Sequence, residues 1–381
     1  MELEVWLGER RVGWFGQDLD AHHFTFAYDP AWLVFKGRYP LSPRLPLAEA
    51  GHQPPELAGT EARRFFENLL PEGQALDDAA AAYRLSKSHL MGLLIALGGE
   101  TAGAVRIQLP GSPPVPGLET RRALGREELS LRIRARPGLP FSVWDGKVRL
   151  SIAGYQDKIA ILRDGEAWFL VNGGPFCSTH ILKPEPVQTY LRGLTVNEFF
   201  CLRLARRAGL MVANSELLWI PEPVLLVERF DRIPGPDRVV RRHLIDGCQA
   251  LGLAPAFKYE RPYGEGRDVQ HLREGASLPR LFGLLDSCGK PAFQRLALLR
   301  WVIFQVLIGN PDAHAKNVFF FMGPKASAWR RPMTSSAAGL WREKIWPIAM
   351  PWLSVMPSGP RISRLTNGRT SLRPPVSTSG W

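Results

Sequence analysis

Long hydrophobic runs are missing from this sequence. No window reaches about 18 uncharged apolar residues, the length a membrane-spanning helix needs. The nearest stretch, Leu296 to Ile308, is interrupted by Arg300, so no transmembrane span is expected. The opening residues, Met1-Glu2-Leu3-Glu4-Val5-Trp6, are charged and lack the apolar core of a secretory signal. Cysteine is scarce: Cys177, Cys201, Cys248 and Cys288 are scattered, and none forms a C-x-x-C pair. That argues against a disulfide framework and a zinc site, and fits a reducing cytoplasm. One further absence is local. No aspartate follows Asp312.

What is present permits an ordinary core. The chain has 381 residues and 45% apolar content, enough for two or three domains. The net charge is +12, which invites a nucleic-acid reading. Its distribution argues otherwise. Residues 323–381 carry nine Lys or Arg against the single Glu343, or +8, leaving +4 for residues 1–322.

The order of apolar patterns is informative. Phe24-Thr25-Phe26-Ala27-Tyr28 alternates as a strand ending at Asp29-Pro30. Helices are expected over about 61–70, stopped by Pro71, and about 87–97, stopped by Gly98-Gly99. The Pro- and Gly-rich stretch 109–117 reads as a linker or exposed loop. From Lys147 short strands follow at 147–151, 159–162, 167–171 and 180–183. A helix over 196–208 should place Phe199, Leu202 and Leu204 near one face. Leu225 to Asp231 is a strand running into a connector, and the pattern beyond Asp246 is mainly helical. Residues 293–308 are apolar nearly all round, which predicts a buried helix ended by Asn310-Pro311.

After that helix, Asp312 and Asn317 stand as D-x-x-x-x-N within Ile308-Gly309-Asn310-Pro311-Asp312-Ala313-His314-Ala315-Lys316-Asn317. In protein kinases this spacing serves phosphoryl transfer: the Asp accepts the substrate hydroxyl's proton and the Asn holds a metal ion. Both residue types also fill ordinary turns. A β-rich region, a connector, a helical region and this loop form the layout of a two-lobed kinase, whose other parts have candidates. Ser151-Ile152-Ala153-Gly154-Tyr155-Gln156-Asp157-Lys158 is a phosphate cradle or a plain hairpin turn. Lys183 reaches the ATP phosphates or faces solvent at a strand end. Glu198 is its partner carboxylate or an exposed first-turn Glu favoured by the helix dipole. Glu228, Arg229 and Phe230 form an adenine-binding connector or a charged strand end. His314 and Lys316 touch a phosphate, or His314 holds the loop in place. A second metal-binding aspartate downstream is missing.

The chain resembles the HipA family of bacterial serine/threonine kinases, toxin partners in toxin–antitoxin operons. The motifs that carry this run in family order. They are Arg64-Phe65-Phe66-Glu67-Asn68-Leu69-Leu70-Pro71-Glu72-Gly73, Gly98 to Val105, Ser151 to Lys158, Thr179 to Lys183, Val227 to Arg232, His243 to Gly252, Lys258-Tyr259-Glu260 and the D-x-x-x-x-N loop. The resemblance covers about residues 1–321. It implies an α+β, two-lobed protein-kinase-like fold with a β-rich N-terminal subdomain and a truncated helical C-terminal lobe. The implied segments are 1–110, a variable linker 111–140, a kinase N-lobe-like region 141–232, a helical region 233–321, and an aberrant tail 322–381.

By the same resemblance Asp312 is the catalytic base and Asn317 a magnesium ligand. Lys183 binds ATP phosphates, Ala153, Gly154, Tyr155, Gln156, Asp157 and Lys158 cover them, and Glu228 to Phe230 contact adenine. Ser151 aligns with a serine that can be autophosphorylated. The implied cofactors are ATP and Mg2+. The implied partners are a small helix-turn-helix antitoxin of the HipB kind, operator DNA through it, and a protein substrate such as an aminoacyl-tRNA synthetase. The alternative is an inactive protein that joins an antitoxin–operator complex. Beyond Phe321 the family's Tyr-Asp pair and further helices do not follow. The 59 residues from Gly323 instead hold five Trp and eight Pro. This break predicts a tail read from a shifted frame, the alternative being a divergent C-terminal extension. The other frames downstream of codon 321 should then encode an apolar segment, Tyr-Asp and more helices.

Overall fold

The computed structural model describes residues 1–18, 23–47, 59–112, 121–149, 156–310 and 312–324. Strands β1 (Glu2–Leu7) and β2 (Arg10–Asp18) form a hairpin, and β3 (His23–Tyr28) pairs with the far side of β2. The hairpin turns at Gly8, whose φ of 61° suits glycine. Helix α1 (Gly59–Glu67) lays Phe65 and Phe66 on this sheet, with the Phe66 ring stacked 4.0 Å from Phe15. The apolar helix α2 (Leu90–Leu97) leads to β4 (Val105–Gln108), which pairs with β1 to give the order β3-β2-β1-β4. Both helices lie where the sequence put them: α1 starts two residues and ends three residues earlier than expected, and α2 starts three residues later and ends as expected. Of the expected linker 109–117, residues 113–117 lie outside the described residues.

A second sheet is antiparallel throughout. Its strands are β5 (Arg122–Ala123), β6 (Ile159–Asp164), β7 (Ala167–Leu170) and β8 (His180–Pro184), then β9 (Ser215–Ile220) and β10 (Glu222–Glu228) after helix α3 (Leu194–Arg207). The order is β9-β10-β8-β6-β7-β5, so β8 is internal, with Lys183 opposite Leu225. Helix α3 packs on β9 and β10. It buries Leu194, Glu198, Cys201, Leu202 and Ala205, spaced at three and four residues, and leaves Leu204 exposed and Phe199 half-buried. The expected apolar face is thus rotated, and the residue it brings inside is a glutamate.

Past the connector, β11 (Leu244–Asp246) enters helix α4 (Gly247–Leu251). Asp246 caps this helix in a reciprocal box with Gln249. Helix α5 (Pro291–Leu307) precedes the Asp312 loop, and β12 (Phe319–Phe321) returns to pair with β11. Helix α5 is not buried all round. Gln294, Leu298, Trp301, Phe304 and Gln305 face the core, while Leu296, Leu299, Ile303, Val306 and Leu307 are exposed among the described residues. Sequence apolarity marks what a face prefers; burial needs a neighbouring element to supply it. Residues 325–381 lie outside the described residues.

Candidate active site

The site grows from two walls. The first is the internal strand β8. Its alternation turns Lys183 inward, and the rotated face of α3 brings Glu198 to meet it. Lys183 Nζ donates to Glu198 Oε1 at 2.6 Å, with both side chains almost wholly buried. Burial pushes the Glu198 carboxyl up, against the pull of Lys183. Lys158 is buried beside this pair. Desolvation, followed by the nearby Lys183 charge, pushes its ammonium down to about 7. The alternatives of a solvent-facing Lys183 and an exposed Glu198 are excluded.

Gln156 Nε2 donates to Pro184 O at 3.4 Å. Asp157 pairs with Arg136 at 3.0 Å, and the same guanidinium donates to Glu185 O at 2.8 Å. Ser151, Ala153, Gly154 and Tyr155 lie outside the described residues.

The connector is fixed by buried charge. Arg229 N donates to Thr179 O at 2.8 Å, and Glu228 N to Asn214 O at 2.9 Å. The Arg229 guanidinium grips Asp231 through two hydrogen bonds, at 3.1 and 2.8 Å, and Arg232 adds a third at 2.6 Å. Gly103 N completes the shell at 2.8 Å. Burial pushes the Asp231 carboxyl up, but Arg229 and Arg232 outweigh it and hold the group well below the usual carboxylate range. The Arg229 side chain is therefore turned into the protein. Phe230 is also buried, edge-on to Phe319 and Phe321 at 5.5 and 5.8 Å.

The second wall is the loop after α5. Helix α5 stops where Gly309 takes a φ of 65°. Asn310 Nδ2 donates to Gln305 Oε1 at 2.8 Å, and Asp312 N to Asn310 Oδ1 at 3.1 Å. Asn317 Nδ2 reaches back to Asp312 O at 2.7 Å, so the two ends of the D-x-x-x-x-N spacing close one ring of chain. The Asp312 carboxylate accepts from the Tyr259 hydroxyl at Oδ1. His314 stands edge-on to the Tyr259 ring at 5.1 Å, with Nε2 3.7 Å from Asp312. Burial pushes His314 down to about 4, so it is neutral at pH 7.

Lys316 has partners other than the phosphate suggested by sequence. It is fully buried, donating to Asn68 Oδ1 at 2.7 Å, Asn68 O at 3.3 Å and Asp246 Oδ2 at 2.7 Å. Glu72 Oε1 lies 3.5 Å away, and Glu72 also binds Lys258 at 2.5 Å. The charges of Glu72 and Lys258 are felt at Lys158, so the two walls lie within electrostatic reach of each other.

Sequence reading gave no role to Tyr259, Asn68, Glu72 or Asp246, although all sit in the quoted motifs. Only Asp246 had a local signal, the D-x-x-Q capping box. Among the described residues no cluster of three or more His, Cys, Asp or Glu could hold a metal, and no helix is long and apolar enough to cross a membrane.

Residues 3–108 match the family model of the HipA N-terminal domain, and residues 150–333 that of the HipA-like C-terminal domain. The chain is 39% identical over 327 residues to the serine/threonine-protein kinase toxin HipA of Shewanella oneidensis, covering 85% of this chain and 72% of that protein. It is 36% identical over 334 residues to the putative kinase Y4mE of Sinorhizobium fredii, covering 85% and 74%. A solved complex of Shewanella oneidensis MR-1 HipA with HipB and its operator DNA superposes with a TM-score of 0.72. Identity there is 39%, over 84% of this chain and 73% of that one.

Proposed function

The chain belongs to the HipA family, and from that premise we propose that it is a serine/threonine kinase of the toxin type, with two lobes meeting at the site described above. The observation that carries this reading is the pairing of Lys183 with Glu198 at 2.6 Å together with a loop that holds Asp312 and Asn317 in one ring. Lys183 neutralises the ATP phosphates and Glu198 fixes its position. Gln156 to Lys158 lie over the same phosphates, and the backbone groups of Glu228 to Phe230 that are not bonded to Asn214 and Thr179 read the adenine. Ser151 remains a candidate for autophosphorylation.

Asp312 takes the proton of a protein Ser or Thr hydroxyl as that oxygen attacks the γ-phosphorus. The P–O bond to ADP breaks as the new one forms. The donor set would suit Mg2+: Asn317 commits its amide nitrogen to Asp312 O, which leaves its amide oxygen for a hard cation. When bound, that ion neutralises charge on the transferring phosphate.

The missing aspartate beyond Asp312 limits turnover. We expect nucleotide binding with slow transfer. The same absence favours a second reading, an inactive protein that joins an antitoxin–operator complex. In both readings the partner is a small HipB-like helix-turn-helix antitoxin, through which operator DNA is contacted. A labelled-ATP assay with Mg2+ separates them. Slow transfer to protein Ser or Thr, abolished by Asp312→Asn, supports the kinase. ATP binding without transfer supports the second reading. Transfer that survives Asp312→Asn refutes the role of Asp312, and fast Asp312-dependent transfer refutes the impairment.

A further inference from the structure

The Lys316 cluster draws its acceptors from two distant parts of the chain. Asn68 and Glu72 follow α1 in the N-terminal region, while Asp246 caps α4. A buried ammonium is tolerated only where its charge and its protons are both answered. For Lys316, Asn68 and Asp246 answer the protons, and Asp246 and Glu72 answer the charge.

Glu72 does more than assist Lys316. Its other oxygen, Oε2, accepts from Lys258 Nζ at 2.5 Å. The backbone of Lys258 is itself part of the loop's support, because Ala315 N donates to Lys258 O at 3.1 Å. The next residue, Tyr259, hydrogen-bonds Asp312. Segment 257–259 is in turn held from behind: Ala276 N donates to Phe257 O at 2.9 Å, and a Cβ on Gly275 would stand 1.8 Å from Tyr259 O. One carboxylate therefore ties the segment that touches the base to the lysine adjacent to Asn317. Burial pushes the Glu72 carboxyl up, but Lys316 and Lys258 outweigh it and leave its pKa below the ordinary value.

We propose that Glu72 is a positioning residue for phosphoryl transfer, aligning Asp312 and Asn317 by drawing Lys316 and Lys258 together from the N-terminal region. The catalytic loop is then shaped by a part of the chain that touches neither nucleotide nor substrate. This rests on the kinase reading of Asp312 and Asn317, so its test needs a readout that does not require turnover.

That readout is amide hydrogen exchange in the full chain, comparing Glu72→Gln, Glu72→Asp and Lys258→Met with a Glu9→Gln control on the exposed Glu9–Arg238 pair. Glu72→Gln keeps the shape and removes the charge. We expect exchange at Ala315, Asn317 and Val318 to rise at least about tenfold, with the β1–β2 ladder unchanged. Glu72→Asp should recover part of the protection, and Lys258→Met should reproduce part of the loss. Binding of a fluorescent ATP analogue should be unaltered, and labelled phosphate transfer should lose kcat with KM for ATP unchanged. Unchanged loop exchange in Glu72→Gln overturns the proposal, as does a rise spread equally over the whole chain. If the parent chain transfers no phosphate, the kinase reading fails and exchange alone decides whether Glu72 holds the loop.

Discussion

Replacing Glu198 by Gln tests whether the Lys183 pair is kept for stability or for the nucleotide. Both side chains are nearly inaccessible and 2.6 Å apart. Removing one charge of such a pair leaves the other buried without compensation, at about 3–5 kcal/mol. Gln retains an oxygen that can accept from Lys183, so the expected loss is at the low end, about 3 kcal/mol. Lys158 lies close enough to feel both members, and its pKa of about 7 lets it shed its charge near neutrality. That keeps the loss from growing larger at pH 8 than at pH 6. The double variant Lys183→Met, Glu198→Leu removes both charges and fills the space with carbon. Its stability should return to within about 1 kcal/mol of the parent. Urea unfolding at constant m-value compares the two variants with the parent. ATP-analogue binding should be lost in the double variant although its stability is restored. A Glu198→Gln protein as stable as the parent, or a double variant as unstable as the single, refutes this account of the pair.

The connector offers a second test: Asp231→Asn leaves Arg229 and Arg232 without their shared anion and should cost about 3–5 kcal/mol in urea unfolding, a loss under 1 kcal/mol arguing against the buried hub. His243 is buried against Leu41 O and pushed down to about 4. The unfolded ring titrates near 6.5, so its contribution is fully present above pH 6.5. It is lost at about 1.4 kcal/mol per unit as pH falls toward 4. His243→Gln should flatten that limb of the stability curve; an unchanged slope assigns the acid sensitivity elsewhere. On α5, Leu299→Ser with Ile303→Ser should change stability by no more than about 0.5 kcal/mol while reducing self-association in light scattering, because both are exposed among the described residues. A large stability loss would mean that this face is covered in the protein.

The elements and their order were legible because period and punctuation are local. Phe24 to Tyr28 alternates, Gly98-Gly99 stops a helix, and Asp246 with Gln249 writes a cap. Lys183 and Glu198 were also named as partners, from a strand followed by a helix. The sequence could not choose between their buried and exposed alternatives, since one Glu on a helix satisfies the dipole as well as a lysine. Helix α5 shows the converse: apolar residues on all sides suggested burial, and among the described residues only one stripe has neighbours.

The sequence by itself determined the parts and their family, because the motif order and the D-x-x-x-x-N spacing are properties of the chain read in line. It also determined that no aspartate follows Asp312. Only the tertiary structure decided which charges answer one another. Lys316 turned from phosphate to Asn68 and Asp246, Arg229 turned inward to Asp231, and Glu72 came to hold two lysines far away in sequence. The reason is physical: a buried charge is settled by whatever group lies within a few ångströms of it, and that distance is set by packing rather than by position along the chain.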